Sequence, residues 1–293
     1  MITELAPAKV NLTLRVGAVG PEGYHPVDSI VVFADWGDRL TVGPSDNLSL
    51  SIDGPQAAGV PTDSENLVLK AVDALARATG QAPVGSIALA KNIPTGAGIG
   101  GGSADAAAAL RAFNRLWSLD WPPDMLAGIA AEIGSDVPAC VWSRPLRMSG
   151  RGERIRLIEG WPEFPAVLVN PGISVATGPV FRAFDDDECG TGAPFRPPSR
   201  LDRDGILAAL AAASNDLTGP ACKTAPVIAD ILSALAAFPG SGIARMSGSG
   251  ATCFALFDTT DLRDDAAGRL RADHPDWHVF PVALQGNPSI TPA

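Results

Sequence analysis

Residues Pro94 to Ser103 read Pro-Thr-Gly-Ala-Gly-Ile-Gly-Gly-Gly-Ser, and an alanine-rich run follows to Leu116. Glycines lack a Cβ, so such a loop can wrap closely around an anion and adopt positive φ. The alanine-rich run favours helix, and the first N–H groups of a helix have no partners within it. A helix N-terminus behind a glycine-rich loop is a phosphate site. The loop does not end in the Gly-Lys-Ser/Thr of a P-loop. It has no clean acidic partner downstream, as a dinucleotide fold would, and no Val-Ala-Ile-Lys strand of a protein kinase. Taken alone, it holds a phosphate group or is a flexible turn.

The loop needs elements to position it. Val84 to Ala90 reads as a strand running into the loop, and Ser103 to Leu116 as the helix leaving it. Lys9 to Val16, Asp28 to Phe33, Asp38 to Val42 and Leu48 to Ile52 read as further strands. A helix capped by Ser64 should run to Thr79 and stop at Gly80. Pro122 and Pro123 open a helix that Gly134 ends, and Ser135 to Pro138 form a tight loop. Val141 to Arg156 alternates loosely around a Gly150-Arg-Gly-Glu153 turn. Pro162 and Pro165 mark a boundary, giving an expected first domain over 1–160 and a second over 161–293. In the second, Ala166 to Asn170, Gly242 to Ser247, Ala251 to Phe257 and His278 to Ala283 read as strands. Ile206 to Ala213, Thr224 to Phe238 and Thr260 to Asp273 read as helices. Asp185 to Arg203 reads as a surface loop, and the last ten residues should fray. The fold class is α+β.

At 293 residues and 46% hydrophobic composition, the chain is long and apolar enough to bury a real core. Its net charge of -10 argues against nucleic acid as a partner, since phosphate backbones are repelled overall. A small anion remains compatible, because backbone N–H groups and a few local cations outweigh a distant negative field. The four cysteines, Cys140, Cys189, Cys222 and Cys253, form no C-x-x-C pair and read as free thiols. No signal peptide, transit segment or 18-residue apolar run is present, which points to a cytoplasmic protein without a membrane span.

The run Pro94-x-Gly-Ala-Gly-Ile-Gly-Gly-Gly-Ser-Ala-Asp-Ala-Ala strongly resembles the ATP-binding motif of the galactokinase, homoserine kinase, mevalonate kinase and phosphomevalonate kinase (GHMP) superfamily. Pro7-Ala-Lys-Val-Asn-Leu12, Gly23-Tyr-His25, Gly134-Ser-Asp-Val-Pro138, Ser214-Asn-Asp216 and Ser247-Gly-Ser-Gly-Ala-Thr252 narrow the resemblance. Their order is similar to that in the 4-diphosphocytidyl-2-C-methyl-D-erythritol kinases of non-mevalonate isoprenoid biosynthesis. The resemblance spans residues 5 to 257. It implies a two-domain fold, with a first domain like ribosomal protein S5 domain 2 and a ferredoxin-like second one.

The resemblance further implies that ATP, with Mg2+, donates its γ-phosphoryl group to the C2 hydroxyl of a cytidine diphosphate-linked methylerythritol. Lys9 and Asp136 then match the catalytic pair. A positioned carboxylate can accept the hydroxyl proton while an ammonium orients it. Pro94, Gly96, Ala97, Gly98, Ile99, Gly100, Gly101, Gly102 and Ser103 fall on the ATP loop. Asn11 lies two residues beyond Lys9, on the same strand face, and could bond the polyol or tie down a loop. Tyr24, His25 and Phe181 fall at the cytidine end, and Gly248 in the turn that closes on the phosphates. Thr95 departs from the apolar residue usual at its position, and Ala139-Cys140 replace larger aromatics. The metal ligands stay open, as does the choice between monomer and homodimer. The alternatives are another kinase of the superfamily, for homoserine or mevalonate, and a nucleotide-binding protein without catalysis.

Overall fold

The computed structural model describes residues 1–20, 22–186 and 192–285. Cys189 and residues 286–293 lie outside them. In chain order the first half runs β1 (Ile2–Asn11), β2 (Arg15–Val16), β3 (Val27–Gly43), β4 (Leu48–Asp53), α1 (Leu67–Thr79) and β5 (Gly85–Ala90). It continues with α2 (Gly101–Leu116), α3 (Pro123–Ile133), α4 (Val137–Trp142), β6 (Leu146–Gly150) and β7 (Arg154–Leu157). The second half runs β8 (Phe164–Asn170), α5 (Thr177–Asp186), α6 (Arg203–Ala211), α7 (Thr218–Thr224) and α8 (Val227–Ala236). It closes with β9 (Ser241–Met246), β10 (Cys253–Phe257), α9 (Thr260–Asp273) and β11 (His278–Gln285).

One strand organises the sheet. β3 pairs antiparallel with β1, β2, β5, β6 and β11, and β11 pairs on its other side with β8. The last strand of the chain therefore joins the two halves. β8 continues the sheet through β10 to β9. β3 was expected as two strands. It runs through because Val27 to Gly43 carries mostly buried residues, with irregular pairing to β1 between Pro7 and Lys9.

The first strand also differs from the expected Lys9 to Val16. It begins at Ile2 and ends at Asn11, where Leu14 turns to pair with Asn215. α1 is capped by Asn66, not Ser64: its side chain accepts from the Val68 N–H at 2.9 Å, and Gly80 ends the helix in the left-handed region as expected. α2 begins at Gly101, so the last glycines of the loop are already helical. Val137–Trp142 forms a short helix where a plain loop was expected, because Val137 to Val141 are all buried. Thr177–Asp186 is helical too; the expected helix over 224–238 is found as α8, which begins after Pro226, and α7 precedes it where no helix was expected. Proline has no N–H to continue a helical ladder, so it breaks or begins one.

The apolar residues form three clusters. One packs α1 to α4 on the first part of the sheet, around Leu75, Leu110 and Phe113. A second, around Val10, Ile30, Phe164 and Phe254, lies where β1, β3, β8 and β10 meet. The third seats α7, α8 and α9 on the second half. Cys140, Cys222 and Cys253 are free thiols. Among the described residues no helix is long and apolar enough to cross a membrane.

Candidate active site

Alternation along β1 sends Ala8 and Val10 into the second core cluster, joined by Leu12 just past the strand, so Lys9 and Asn11 face the other way. Asp136 sits between the end of α3 and the start of α4. The two strand and helix ends converge: Lys9 Nζ lies 2.8 Å from Asp136 Oδ1, the lysine nearly buried and the aspartate 36% exposed. A buried ammonium needs such a partner, and the open side of the carboxylate faces a cavity of about 760 Å3.

Arg111, on α2, holds this pair in register, and nothing in the sequence singled it out. Its Nη1 donates to the Cys140 carbonyl of α4 at 2.8 Å, and its Nη2 to the Leu5 carbonyl of β1 at 2.9 Å. Its Nε donates to the buried Glu4 carboxylate at 2.9 Å. One guanidinium thus spans the strand of Lys9 and the helix behind Asp136. Burial pushes the Cys140 thiol up to about 12, so this cysteine is packing and not a nucleophile.

The glycine-rich loop separates two cavities. Gly98 and Gly100 line both the large one and a second of about 330 Å3. Pro94, Gly96, Ala97, Gly101, Gly102 and Ser103 line the smaller. Ile99 does not: its side chain belongs to the core, and its carbonyl accepts the Lys9 N–H at 2.9 Å. Its place in the loop is to fasten the loop to β1. Gly98 has φ 76° and runs against the Gly250 carbonyl, where a Cβ would overlap it. Gly100 has φ 68°, and a Cβ there would press within 3.2 Å of the Lys9 side chain. Both positions need glycine for conformation and for space.

The second half clamps the loop from above. Thr252 Oγ1 donates to the Ala97 carbonyl at 2.6 Å, and Asn170 Nδ2 donates to Thr252 Oγ1 at 3.0 Å. Gly248, with φ 57°, lines the large cavity beside Gly98. Asn215, from the Ser214-Asn-Asp216 segment, donates to the Met246 and Gly248 carbonyls, both at 2.8 Å, and so sets the turn.

Asn11 lines the large cavity. Its Nδ2 donates to Ser29 Oγ at 2.7 Å, while its buried Oδ1 has no partner. A buried acceptor left open is costly unless a ligand completes it. Tyr24, His25 and Phe181 also line the large cavity. The rings of His25 and Phe181 are 5.2 Å apart and tilted by 37°. Both nitrogens of His25 have protein partners: Nδ1 lies 2.8 Å from the Gly17 carbonyl and Nε2 lies 3.3 Å from Asp185. Tyr24 is largely exposed, with the Arg151 guanidinium 3.8 Å above its ring.

Under the smaller cavity lies a buried ionic cluster that the sequence did not reveal. Lys91 Nζ donates to Asp105 Oδ2 at 2.7 Å and also to Asp38 Oδ2. Asp38 Oδ1 accepts the Ile93 N–H at 2.8 Å. Burial and the neighbouring Asp38 push Asp105 up to about 8, against the pull of Lys91. Burial opposes the charge on Lys91, yet Asp105 and Asp38 outweigh it and raise its pKa. The cluster ties the entry to the loop, at Lys91, to the second turn of α2, at Asp105.

Two cavities meeting at a glycine-rich helix N-terminus, with a Lys–Asp pair on the acceptor side, are the arrangement of a small-molecule kinase. The sequence models for the GHMP kinase N-terminal domain and the GHMP kinase C-terminal region match residues 66–144 and 202–276, and the fold is the two-domain GHMP kinase fold. The 4-diphosphocytidyl-2-C-methyl-D-erythritol kinase of Paramagnetospirillum magneticum is 47% identical over 279 residues, covering 95% of this chain and 97% of that protein. A crystal structure of a 4-(cytidine 5'-diphospho)-2C-methyl-D-erythritol kinase superposes with a TM-score of 0.79 at 34% identity, over 98% of this chain and all of the other. The mevalonate kinase of L. major, at 16% identity, shares the fold with a TM-score of 0.72 over 98% of this chain and 97% of its own. The chain belongs to the 4-diphosphocytidyl-2-C-methyl-D-erythritol kinase family.

Proposed function

We propose that the protein transfers the γ-phosphoryl group of ATP to the C2 hydroxyl of 4-diphosphocytidyl-2-C-methyl-D-erythritol. The observation that carries this reading is the Lys9–Asp136 pair at 2.8 Å, in a cavity that shares Gly98 and Gly100 with the cavity at the head of α2. ATP occupies the smaller cavity, with its phosphates on the loop and the free N–H groups of α2. The acceptor occupies the larger one. The loop is then the plane across which the phosphoryl group passes.

Phosphoryl transfer needs mainly alignment and charge stabilisation. Asp136 accepts the proton of the acceptor hydroxyl as its oxygen attacks the γ-phosphorus, the bond to the β,γ-bridging oxygen breaks and ADP leaves. Lys9 holds the carboxylate in place and offsets negative charge at the reacting oxygen. Asn11 Oδ1 accepts from a polyol hydroxyl, which would complete its bonding. The cytosine lies at the Tyr24, His25 and Phe181 end, where aromatic surface is available for stacking. Among the described residues no group of three or more His, Cys, Asp or Glu side chains could hold a metal ion. Magnesium would arrive on ATP, with the Ser103 hydroxyl and the Asp136 carboxylate the side chains that could hold it. When bound, the ion neutralises phosphate charge. We place the division between the two domains near residue 160 and the protein in the cytoplasm.

The test is a kinase assay offering 4-diphosphocytidyl-2-C-methyl-D-erythritol, homoserine and mevalonate. Turnover of the first alone, with phosphorus NMR locating the new group on C2, is the expected result. Preference for either other acceptor would overturn the reading.

A further inference from the structure

The large cavity contains three basic side chains beside His25: Lys9, Arg151 and Arg182. Lys9 is engaged by Asp136. The acceptor proposed above carries a diphosphate between its cytidine and its polyol. With the cytosine at Tyr24 and the C2 hydroxyl at Asp136, as proposed above, the diphosphate lies between them. That stretch needs cations, in a protein whose overall charge of -10 repels anions.

Arg151 is presented to that stretch by a built turn, not by a loose side chain. It tips the hairpin between β6 and β7, and its N–H donates to Glu153 Oε2 at 2.6 Å. The next residue, Gly152, has φ 117° and packs so closely on the Ser135 carbonyl that a Cβ would lie 2.6 Å from it. The turn is thus seated on the residue before Asp136. Its guanidinium carbon sits over Tyr24, 3.8 Å from the ring centroid, and its ion pair among the described residues is a distant one of 3.7 Å to Glu22. A guanidinium held over a ring and lacking a close carboxylate keeps N–H donors for phosphate oxygens, which an arginine fork can bind in pairs. Arg182, on the helix that carries Phe181, lines the same cavity.

Resting on the cytidyl-acceptor reading, we infer that Arg151 is a specificity-determining residue that grips the diphosphate of the acceptor while its guanidinium stays over Tyr24. Arg182 adds charge to the same group. Recognition is then of the nucleoside diphosphate as a unit: Tyr24 meets the base, and Arg151 ties base recognition to the charged linker. The segment that places Asp136 also seats Arg151, so binding of the linker and alignment of the hydroxyl share one support.

The test compares inhibition of turnover by CDP and by cytidine, for wild type, Arg151→Ala and Arg151→Lys. The side chain is 54% exposed, so the variants should fold, and an unchanged KM for ATP checks this. Arg151→Ala should weaken CDP by about tenfold or more, as loss of a charged hydrogen bond predicts, and leave cytidine little changed. Arg151→Lys should recover part of the CDP affinity, since charge returns without the planar fork. Equal weakening of CDP and cytidine would overturn the inference, because Arg151 would then act through Tyr24 alone. Unchanged CDP inhibition in Arg151→Ala would overturn it as well. Failure of wild type to be inhibited by CDP would instead sink the cytidyl reading on which the inference rests.

Discussion

At the scale of residues, the site depends on groups whose burial sets their behaviour. Asp105 is the clearest. Its folded pKa of about 8 lies above its ordinary value of 3.8. Between those values the native state holds a proton that the unfolded chain has released. Stability therefore falls as pH rises through this window and levels off above it. Asp105→Asn removes the titration and keeps the shape. Denaturant unfolding at about pH 5 and about pH 8 should show a smaller loss of stability in the variant than in wild type. The same pH dependence in both would contradict the cluster's assigned protonation. Tyr24 makes a separate prediction. Tyr24→Ala should raise the acceptor KM by about 2- to 12-fold, the worth of an aromatic stack, and leave the ATP KM unchanged. An effect confined to ATP would remove Tyr24 from the acceptor end.

Elements carry the alignment. β1 and α4 bring Lys9 and Asp136 together, and Arg111 of α2 spans both through carbonyls 2.8 and 2.9 Å away. Arg111→Leu should lose about 3 kcal/mol or more of stability, because Glu4 is left buried with weaker pairing. Its kcat should fall further than its ATP KM rises, and an unchanged kcat in the folded variant would deny it a positioning role. Thr252 does the same for the glycine loop. Thr252→Val keeps the volume and the backbone N–H bond to the Ala97 carbonyl at 3.1 Å, but it removes the hydroxyl bond to that carbonyl and strands the buried Asn170 amide. A loss of about 1–3 kcal/mol in thermal or denaturant unfolding is expected for the unpaired amide. Stability equal to wild type would mean that the clamp contributes nothing.

Over the whole molecule, a single sheet joins the two halves through β11, which pairs with β3 on one side and β8 on the other. The glycine loop, the strand of Lys9 and the turn at Gly248 belong to different stretches of chain, and the sheet brings them to one place. Much of this was legible beforehand. The loop announced itself because glycine spacing and an alanine-rich helix are local signals. Lys9 and Asp136, 127 positions apart by their numbering, were found by resemblance and not by any pattern of their own. Arg111, Lys91 and Asp105 stayed hidden. A charged residue on a helix or in a loop looks solvated until the fold buries it, and partners such as Glu4 and Asp38 are distant in sequence. Ile99 shows a further limit: its place in the loop was legible, but that its side chain enters the core was not, because a loop's backbone and side chain can face opposite ways.

The central claim is that Asp136 takes the proton of the acceptor hydroxyl while the glycine loop holds ATP. Asp136→Asn keeps the shape of the side chain and removes its basicity. Single-turnover kinetics on this variant, with ATP affinity measured in parallel, separates the two functions. The predicted result is unchanged ATP binding with the phosphoryl-transfer rate lowered by about 10²–10⁴-fold. A transfer rate near that of wild type would contradict the account.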